Sequence, residues 1–299
     1  MREYRFWQVD AFTRVPFRGN PAAVVFDADT LSDDEMQRIA RQMNLSETTF
    51  LLESRSEEAD YVVRIFTPRS EIPFAGHPTI AAAHAHVQTN DRTGAGQERA
   101  LRQRCGIGTV SIEVAEDDGA QLFMIQMPEA SARSTYVDRN LVARMLNCKP
   151  EEVEGVPVEV CSTGLPWMIA SISSLGALSA AVPDQELIEQ VCRQERATGL
   201  TVYSQDATLP GCSVHLRTFA PGEGILEDPI CGSCNGATAV HLSRHAFRSR
   251  KSFSYRAEQG LEIHREGIIH VSAEGNGTAF PRIQVGGNAV TVMEGTLRI

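Results

Sequence analysis

The sequence is short of positive charge, of long apolar runs and of regularly spaced cysteines. Lys and Arg number 28 against 38 Asp and Glu, a formal net charge of −10, so neither a nucleic-acid nor an anionic-membrane surface is expected. The charge-free stretch 160–183 contains Gly164, Pro166 and Gly176, which indicates a buried strand and a loop rather than a membrane span. The first residues lack the apolar segment of a signal peptide. Seven scattered cysteines favour reduced thiols and a cytoplasmic protein.

Motifs for nucleotides and metals are also missing. No Gly-x-Gly-x-x-Gly follows a predicted strand, and there is no P-loop. His241 and His245 are one helical turn apart, but no third ligand is evident, so they are expected to be core or surface histidines. Residues 231–234 match Cys-x-x-Cys without a second pair, which disfavours a zinc or redox site. No metal site is therefore predicted.

The composition of the 299 residues, 42% hydrophobic and 22% charged, is that of a soluble globular protein with one large or two ordinary domains. Ser32 and Glu35 predict a capping box at the start of a helix that ends near Asn44. An amphipathic helix is predicted over 184–196 and a polar loop over 90–98. Strands are predicted over 6–12, 22–26, 48–52, 61–66, 109–115, 121–127, 156–160, 167–172, 201–204, 213–219, 253–255, 261–263, 268–271 and 282–285.

Glu47 stands between the first predicted helix and the apolar strand that follows it. A carboxylate has little structural reason to be at such a junction. It is either a solvated loop acid or a buried carboxyl group whose pKa is raised, as general acid/base catalysis requires.

The block FAGHPT (residues 74–79) leads into a run of alanines. Pro78 fits the first turn of a helix, where a missing N–H costs nothing. The free N–H groups of that helix start, together with its partial positive charge, could hold a carboxylate. Packing alone would also explain the pattern.

The same pattern occurs a second time. Arg-x-Phe-x-Pro begins at Arg64 and again at Arg217, and each copy is followed by Pro-apolar-small-Gly, ending at Gly76 and at Gly232. A third pair, Gly-x-Pro, begins at Gly19 and at Gly164. Three pairs in the same order at offsets of roughly 150 residues predict two homologous domains. Two Gly-led helix starts facing one cleft would form a site for a small anion.

Three blocks of the sequence resemble the signature of the PhzF-like phenazine-biosynthesis family, whose fold is that of diaminopimelate epimerase. They are NLSET (residues 44–48), FAGHPT (74–79) and EDPICGS (227–233). The resemblance covers nearly the whole chain. It implies an α+β fold of two pseudo-symmetric domains, each a barrel-like sheet around a central helix, and chemistry without a cofactor, often in a homodimer. The domains are placed at 1–125, with the strand about 283–299 returning to it, and at 126–282.

The resemblance also implies roles for individual residues. Glu47 is the acid/base, and His77 and Asp228 support and orient the substrate. The residues expected to bind the substrate are Asn20, Ser46, Gly76, Cys231, Gly232 and Ser233.

Two positions depart from related families. The epimerase branch has a cysteine on each side of the cleft, whereas this chain has Ala75 and Cys231 at those positions. Because alanine carries no proton, racemisation by two thiols is excluded. Cys231, at a helix start, either has a lowered pKa and acts as a second acid/base or simply fills a Thr-sized site.

The sequence therefore predicts a cofactor-independent isomerase that moves a proton within a small carboxylate, with Glu47 as general acid/base. One alternative is an epimerase or dehydratase that uses Cys231 with Glu47. Another is a binder of small carboxylates without catalysis. A structural protein is least favoured, because it would explain neither Gly-led helix start.

Overall fold

The computed structural model describes residues 1–90, 99–275 and 282–299. Its strands are β1 (Glu3–Ala11), β2 (Asn20–Val25), β3 (Glu47–Leu52), β4 (Tyr61–Phe66), β5 (Glu71–Ile72), β6 (Arg99–Cys105), β7 (Gly108–Asp117), β8 (Ala120–Gln126), β9 (Ser131–Ser134), β10 (Glu159–Ser162), β11 (Pro166–Ser171), β12 (Gly199–Ser204), β13 (Val214–Phe219), β14 (Ser252–Gln259), β15 (Gly267–Glu274), β16 (Arg282–Gly287) and β17 (Ala289–Arg298). Its α-helices are α1 (Asp33–Met43), α2 (Gly76–Asn90), α3 (Arg139–Met145), α4 (Leu175–Ala180), α5 (Gln185–Gln194) and α6 (Gly232–His245). The chain divides into one unit of Met1–Gln126 with Gly286–Ile299 and a second of Met127–Val285.

The sheet of the first unit begins with the last strand of the chain. β17 pairs with β1 and β1 with β2, both antiparallel. β2 and β3 are parallel, β3 and β4 antiparallel, and β4 and β6 parallel. β6, β7 and β8 continue as antiparallel neighbours.

The sheet of the second unit repeats this order. β9, β10 and β11 are antiparallel neighbours, β11 and β12 are parallel, and β12 and β13 are antiparallel. β13 and β14 are parallel, and β14 and β15 are antiparallel. The first six pairings of the two units thus have the same sequence of directions. The predicted α+β fold of two pseudo-symmetric halves is confirmed.

Each unit encloses one helix that is buried on nearly every side. In α2 the alanines at 81, 82, 83 and 85 are fully buried, and in α6 the run 234–242 is buried throughout. Small residues allow this, because they let the helix backbone approach the surrounding strands. At Gly236 the approach is so close that an added Cβ would lie 2.3 Å from Oγ1 of Thr163.

Local signals in the sequence set several element boundaries. Ser32 and Glu35 form the predicted capping box of α1. Asn44 ends that helix in the left-handed region, with φ 52°, which asparagine tolerates better than most residues. Met36, Ile39 and Ala40 form the buried face of α1, as their spacing predicts.

Other expectations were wrong or incomplete. The strand predicted over 261–263 is a turn, because Gly260 (φ +87°) and His264 (φ 58°) reverse the chain on either side of it. β6, β9 and α4 were not predicted, because their residues carry no clean alternation or helical period. The loop predicted over 90–98 lies almost wholly outside the described residues.

Within the described residues, no helix combines the length and apolar character needed to cross a membrane. All seven cysteines lie in the described part of the chain, and all are free thiols.

Candidate active site

Glu47 opens β3 at the point where the chain has left α1. Its partner on the parallel neighbour β2 is Ala22. The side chain of Glu47 is only 14% exposed, so the carboxyl group is buried rather than solvated. Asn20 lies two residues before Ala22, at the same edge of the sheet, and is 3% exposed. The start of β2 and the start of β3 thus place both predicted site residues at one end of parallel strands.

His77 lies directly beside Glu47. Nε2 of His77 is 3.0 Å from Oε2 of Glu47, the distance of a contact ion pair when the imidazole is protonated. The ring N–H is not aimed at this oxygen, which makes no hydrogen bond to any described residue although it is buried. Ser46 Oγ is 3.4 Å from the same ring nitrogen. Glu47 therefore has an ion-pair partner and a carboxylate oxygen still able to accept a proton.

The pKa of Glu47 is shifted in the direction opposite to the one that the sequence-based hypothesis of a buried acid/base requires. Burial raises the pKa of this carboxyl group, but the charge and close approach of His77, together with the Ser46 hydroxyl, outweigh that effect. The net shift is downward. Glu47 is accordingly a carboxylate at neutral pH, the form in which a carboxyl group can accept a proton.

The second group of predicted residues lies in the second unit, on the loop that precedes α6. The Asp228 N–H donates to the carbonyl oxygen of Thr218 at 2.9 Å. Oδ1 of Asp228 accepts from the Ile230 N–H at 3.2 Å, which turns the chain toward the helix. Asp228 is half-buried and fixed by its own loop.

Cys231 is the N-cap of α6. Its Sγ accepts from the Cys234 N–H at 3.4 Å, as a serine or threonine oxygen does at this position. The pKa of the Cys231 thiol is raised, first because of a hydrogen bond to the Cys234 thiol and then because of burial and the charge of Asp228. A lowered pKa is therefore contradicted. The thiol is neutral and caps the helix in the place of a hydroxyl.

In the first turn of α6, two N–H groups have no hydrogen-bond partner among the described residues. The Cys234 N–H bonds to Cys231, so the donors left at the helix start are those of Gly232 and Ser233. The Ser233 hydroxyl oxygen accepts from the indole N–H of Trp167 at 2.9 Å. These contacts fix the Ser233 side chain next to the two backbone donors.

The repeated Arg-x-Phe-x-Pro segments have the same contacts in both units. Arg64 binds both carboxylate oxygens of Glu71 at 2.8 and 2.6 Å. Arg217 binds both oxygens of Glu227 at 2.9 and 2.8 Å. Each glutamate precedes the helix-starting glycine, Gly76 or Gly232, by five residues. The repeat therefore includes a two-bond clamp on each loop that leads to a central helix.

Glu159 approaches the histidine pair of α6, so that three possible metal ligands lie within 4.8 Å of one another. Both oxygens of Glu159 already accept from Arg244 at 2.9 Å. His241 bonds to Tyr203 through Nδ1 and to the carbonyl of Pro157 through Nε2. The donor set does not fit a metal ion, because its atoms are engaged within the protein.

Gln259 and Trp167 were missed by the sequence analysis. Gln259 bonds to the Asp228 loop, and Trp167 bonds to Ser233. A signal for Gln259 was present, because Gln103 precedes it by 156 residues, the same offset that separates Gly76 from Gly232.

The chain is similar to known proteins over nearly its whole length. A family profile described as phenazine biosynthesis-like protein (PhzC-PhzF) matches residues 9–295. The trans-2,3-dihydro-3-hydroxyanthranilate isomerase of Pseudomonas fluorescens is 34% identical over 97% of each chain. An uncharacterised isomerase of Clostridium acetobutylicum is 33% identical over 99% of each chain. The crystal structure of a PhzF-family phenazine biosynthesis protein from Bacillus anthracis superimposes with a TM-score of 0.90 at 25% identity, covering 100% of both chains.

Proposed function

The chain belongs to the PhzC/PhzF family of phenazine biosynthesis-like proteins, and from this premise we propose that it moves a proton within a small cyclic carboxylate, with Glu47 as the general acid/base. The family membership makes the chain an isomerase; its substrate class and the roles of its residues are our proposal. The observation that carries the proposal is the buried Glu47 carboxylate, whose Oε2 lies 3.0 Å from Nε2 of His77 and has no other partner among the described residues.

The substrate carboxylate would be bound by backbone N–H groups at the helix starts. Gly232 and Ser233 begin α6, and Gly76 begins α2. Unpaired N–H groups and the helix dipole favour an anion at such positions.

The proton transfer has two steps. The Glu47 carboxylate removes a proton from a ring carbon, and the released electron pair shifts along the conjugated double bonds. The same carboxyl group then returns the proton to another carbon, so no electron acceptor is needed and atoms balance within the substrate. His77 holds Glu47 ionised for the first step, and Asp228 orients the substrate. Suprafacial transfer by one group suits an isomerisation better than an inversion.

The substrate class follows from chemistry that this site would share with its relatives. Several relatives are named for trans-2,3-dihydro-3-hydroxyanthranilate, a cyclohexadiene that carries a carboxylate and an amine. We propose a cyclic amino acid of this class. Assembly as a homodimer and a cytoplasmic location stay predictions.

Glu47→Gln tests the acid/base role. We expect the variant to lose substrate C–H exchange with deuterated water by about 10³-fold, since a general base contributes about 10²–10⁴ to the rate. The probe is trans-2,3-dihydro-3-hydroxyanthranilate, followed by mass spectrometry. The control is Glu53→Gln, which replaces an exposed carboxylate just beyond the same strand. This variant should exchange the substrate C–H proton at the wild-type rate. Exchange by Glu47→Gln at the wild-type rate would refute the assignment.

Cys231→Ser separates this proposal from an epimerase or dehydratase that uses the thiol. Serine is a good N-cap, and the raised pKa of Cys231 leaves no thiolate to replace. We therefore expect kcat/KM to stay within about threefold of the wild type, because the cap is retained. Loss of turnover with an intact fold would favour the thiol mechanism. A binder without catalysis would show no exchange in any variant.

A further inference from the structure

The loop from Asp228 to Cys231 is held mainly by hydrogen bonds to residues outside the loop. The Asp228 N–H bonds to Thr218, and the Ile230 N–H bonds to the Asp228 side chain. Pro229 has no N–H. The Asp228 carbonyl and the Cys231 N–H remain, and both bond to the side-chain amide of Gln259.

Gln259 is the last residue of β14 and is 1% exposed. Its Nε2 donates to the carbonyl oxygen of Asp228 at 3.0 Å. Its Oε1 accepts from the Cys231 N–H at 3.3 Å and from Nδ2 of Asn235 at 3.1 Å. One amide thus joins both ends of the loop to the first turn of α6.

The following residue shows how closely the loop lies against this strand end. Gly260 has φ +87°, and a Cβ there would be 2.4 Å from the carbonyl oxygen of Pro229. A larger residue would displace the loop. The strand end therefore fits the Asp228 loop both by hydrogen bonds and by shape.

These bonds determine which N–H groups remain for a ligand. Oε1 of Gln259 accepts a hydrogen bond from the Cys231 N–H, and the Cys231 sulfur accepts one from the Cys234 N–H. The donors left at the helix start are Gly232 and Ser233. Without Gln259, the Cys231 N–H would compete for an anion, and the Asp228 carbonyl would lose its partner.

We propose that Gln259 is a positioning residue, which fixes Asp228 and restricts the carboxylate to the N–H groups of Gly232 and Ser233. The identity of the ligand, a substrate carboxylate, rests on the function proposed above. The geometry of the loop does not depend on that function.

Gln103 provides a matched control in the first unit. It is fully buried, like Gln259, and follows Thr79 of α2 by 24 residues, just as Gln259 follows Asn235 of α6 by 24 residues. Its Nε2 donates to Oγ1 of Thr79 at 3.1 Å, and its Oε1 has no hydrogen-bond partner among the described residues. It therefore bonds to the helix, with no recorded bond to the loop before it.

The experiment compares Gln259→Met with Gln103→Met in the full chain. Hydrogen–deuterium exchange, resolved by residue, is measured over 228–235, and binding of anthranilate, a stable aromatic amino acid, is measured by calorimetry. Gln259→Met should raise exchange at Ile230 and Cys231 by about tenfold or more and weaken anthranilate binding by about tenfold, because buried hydrogen bonds are lost. With a turned-over substrate, KM should rise more than kcat falls. Gln103→Met should leave both the exchange over 228–235 and the affinity for anthranilate unchanged.

A second variant covers the case in which Gln259→Met does not fold. Gln259→Glu keeps the acceptor for Cys231 and removes the donor for Asp228, so exchange should rise at Ile230 and stay slow at Cys231. Wild-type exchange in both Gln259 variants, or an equal rise in Gln103→Met, overturns the proposal. Failure of the proposed function is distinguishable: Glu47→Gln would then exchange substrate protons normally, while the effect of Gln259 on 228–235 would persist.

Discussion

At the residue scale, Glu47 and His77 together decide the protonation state of the proposed base. Burial raises the pKa of Glu47 and so disfavours the carboxylate, whereas the neighbouring imidazole lowers the pKa and favours it. The balance keeps the base ionised at neutral pH without moving it into water. Catalytic carboxylates elsewhere reach their working state by similar opposition of environment and charge.

His77→Gln should therefore move the acidic limb of the pH–kcat/KM profile to higher pH. The substitution removes the electrostatic and hydrogen-bond contribution of His77 but leaves the burial, which alone raises the pKa of Glu47. In the wild type, the lowered pKa keeps Glu47 ionised to below 4.5, so this limb lies at low pH. The measurement is kcat/KM from pH 4 to 9. An unmoved acidic limb would mean that Glu47 is not the titrating base.

Sequence reasoning nominated candidate reactive residues, but it could not describe their surroundings. Glu47 was found because a carboxylate at a helix-to-strand junction has no structural purpose, and Ala75 excluded two-thiol chemistry by its side chain alone. The direction of the Glu47 pKa was not predictable, because it depends on a 3.0 Å contact with a residue 30 positions later. The raised pKa of Cys231 depends in the same way on contacts with Cys234 and Asp228.

At the scale of elements, the repeated arginine–glutamate clamp has a different environment in each unit. Arg217 and Glu227 are 6% and 11% exposed, whereas Arg64 and Glu71 are 27% and 43% exposed. Arg217 also donates to the carbonyls of Leu178 and Ala181. The same motif is thus a buried ion pair in one unit and a partly solvated one in the other.

Glu227→Gln should lower the free energy of unfolding by about 3–5 kcal/mol, because it leaves the buried Arg217 charge without its partner. Glu71→Gln should cost only about 0–1 kcal/mol, the usual range for exposed pairs. Urea denaturation of both variants gives the comparison. Equal losses would show that burial does not distinguish the two clamps.

Element predictions succeeded where the periodicity or a cap was strong. The capping box of Ser32 and Glu35 gave the start of α1, and the helix starts at Gly76 and Gly232 were read from the repeat. β6 was missed because arginine and glutamine alternate there with few apolar residues. The turn at 261–263 was misread because its apolar residues suit a strand, while Gly260 and His264 reverse the chain on either side of it.

At the scale of the whole molecule, three buried histidines make stability depend on pH in opposite directions. Burial lowers the pKa of His84 and of His241 to about 4. His215 lies between Glu258 at 2.7 Å and Glu262 at 3.1 Å. Although burial works against its charge, hydrogen bonds to the two carboxylates raise the pKa of His215 to about 9.

The free energy of unfolding should fall on both sides of a neutral plateau. As pH drops from 6.5 toward 4, the unfolded chain takes up protons that the folded His84 and His241 do not, a loss of about 2 kcal/mol per histidine by about pH 5. The stabilisation from His215 is complete below its ordinary pKa of 6.5 and is lost as pH rises through about 9. Urea midpoints from pH 5 to 10 test both limbs. His84→Gln should flatten the acidic limb, and a stability that does not vary with pH would contradict the reasoning.

The internal repeat of the molecule was predictable from the sequence, since three pairs of motifs recur in the same order at offsets of roughly 150 residues. Which strands pair was not, because the parallel partners β4 and β6 are separated by a helix and the partners β1 and β17 by most of the chain. Such pairings depend on contacts remote in sequence that no local pattern records.

The pairing of β1 with β17 has a consequence for biosynthesis. On the edge of β1 that does not pair with β2, Glu3 to Ala11 pair with residues 289–298, which leave the ribosome after the entire second unit. The second unit is continuous in sequence and has all its strands as soon as residue 285 has emerged. We expect it to complete its sheet first during translation, while β1, though made first, waits for the final strand.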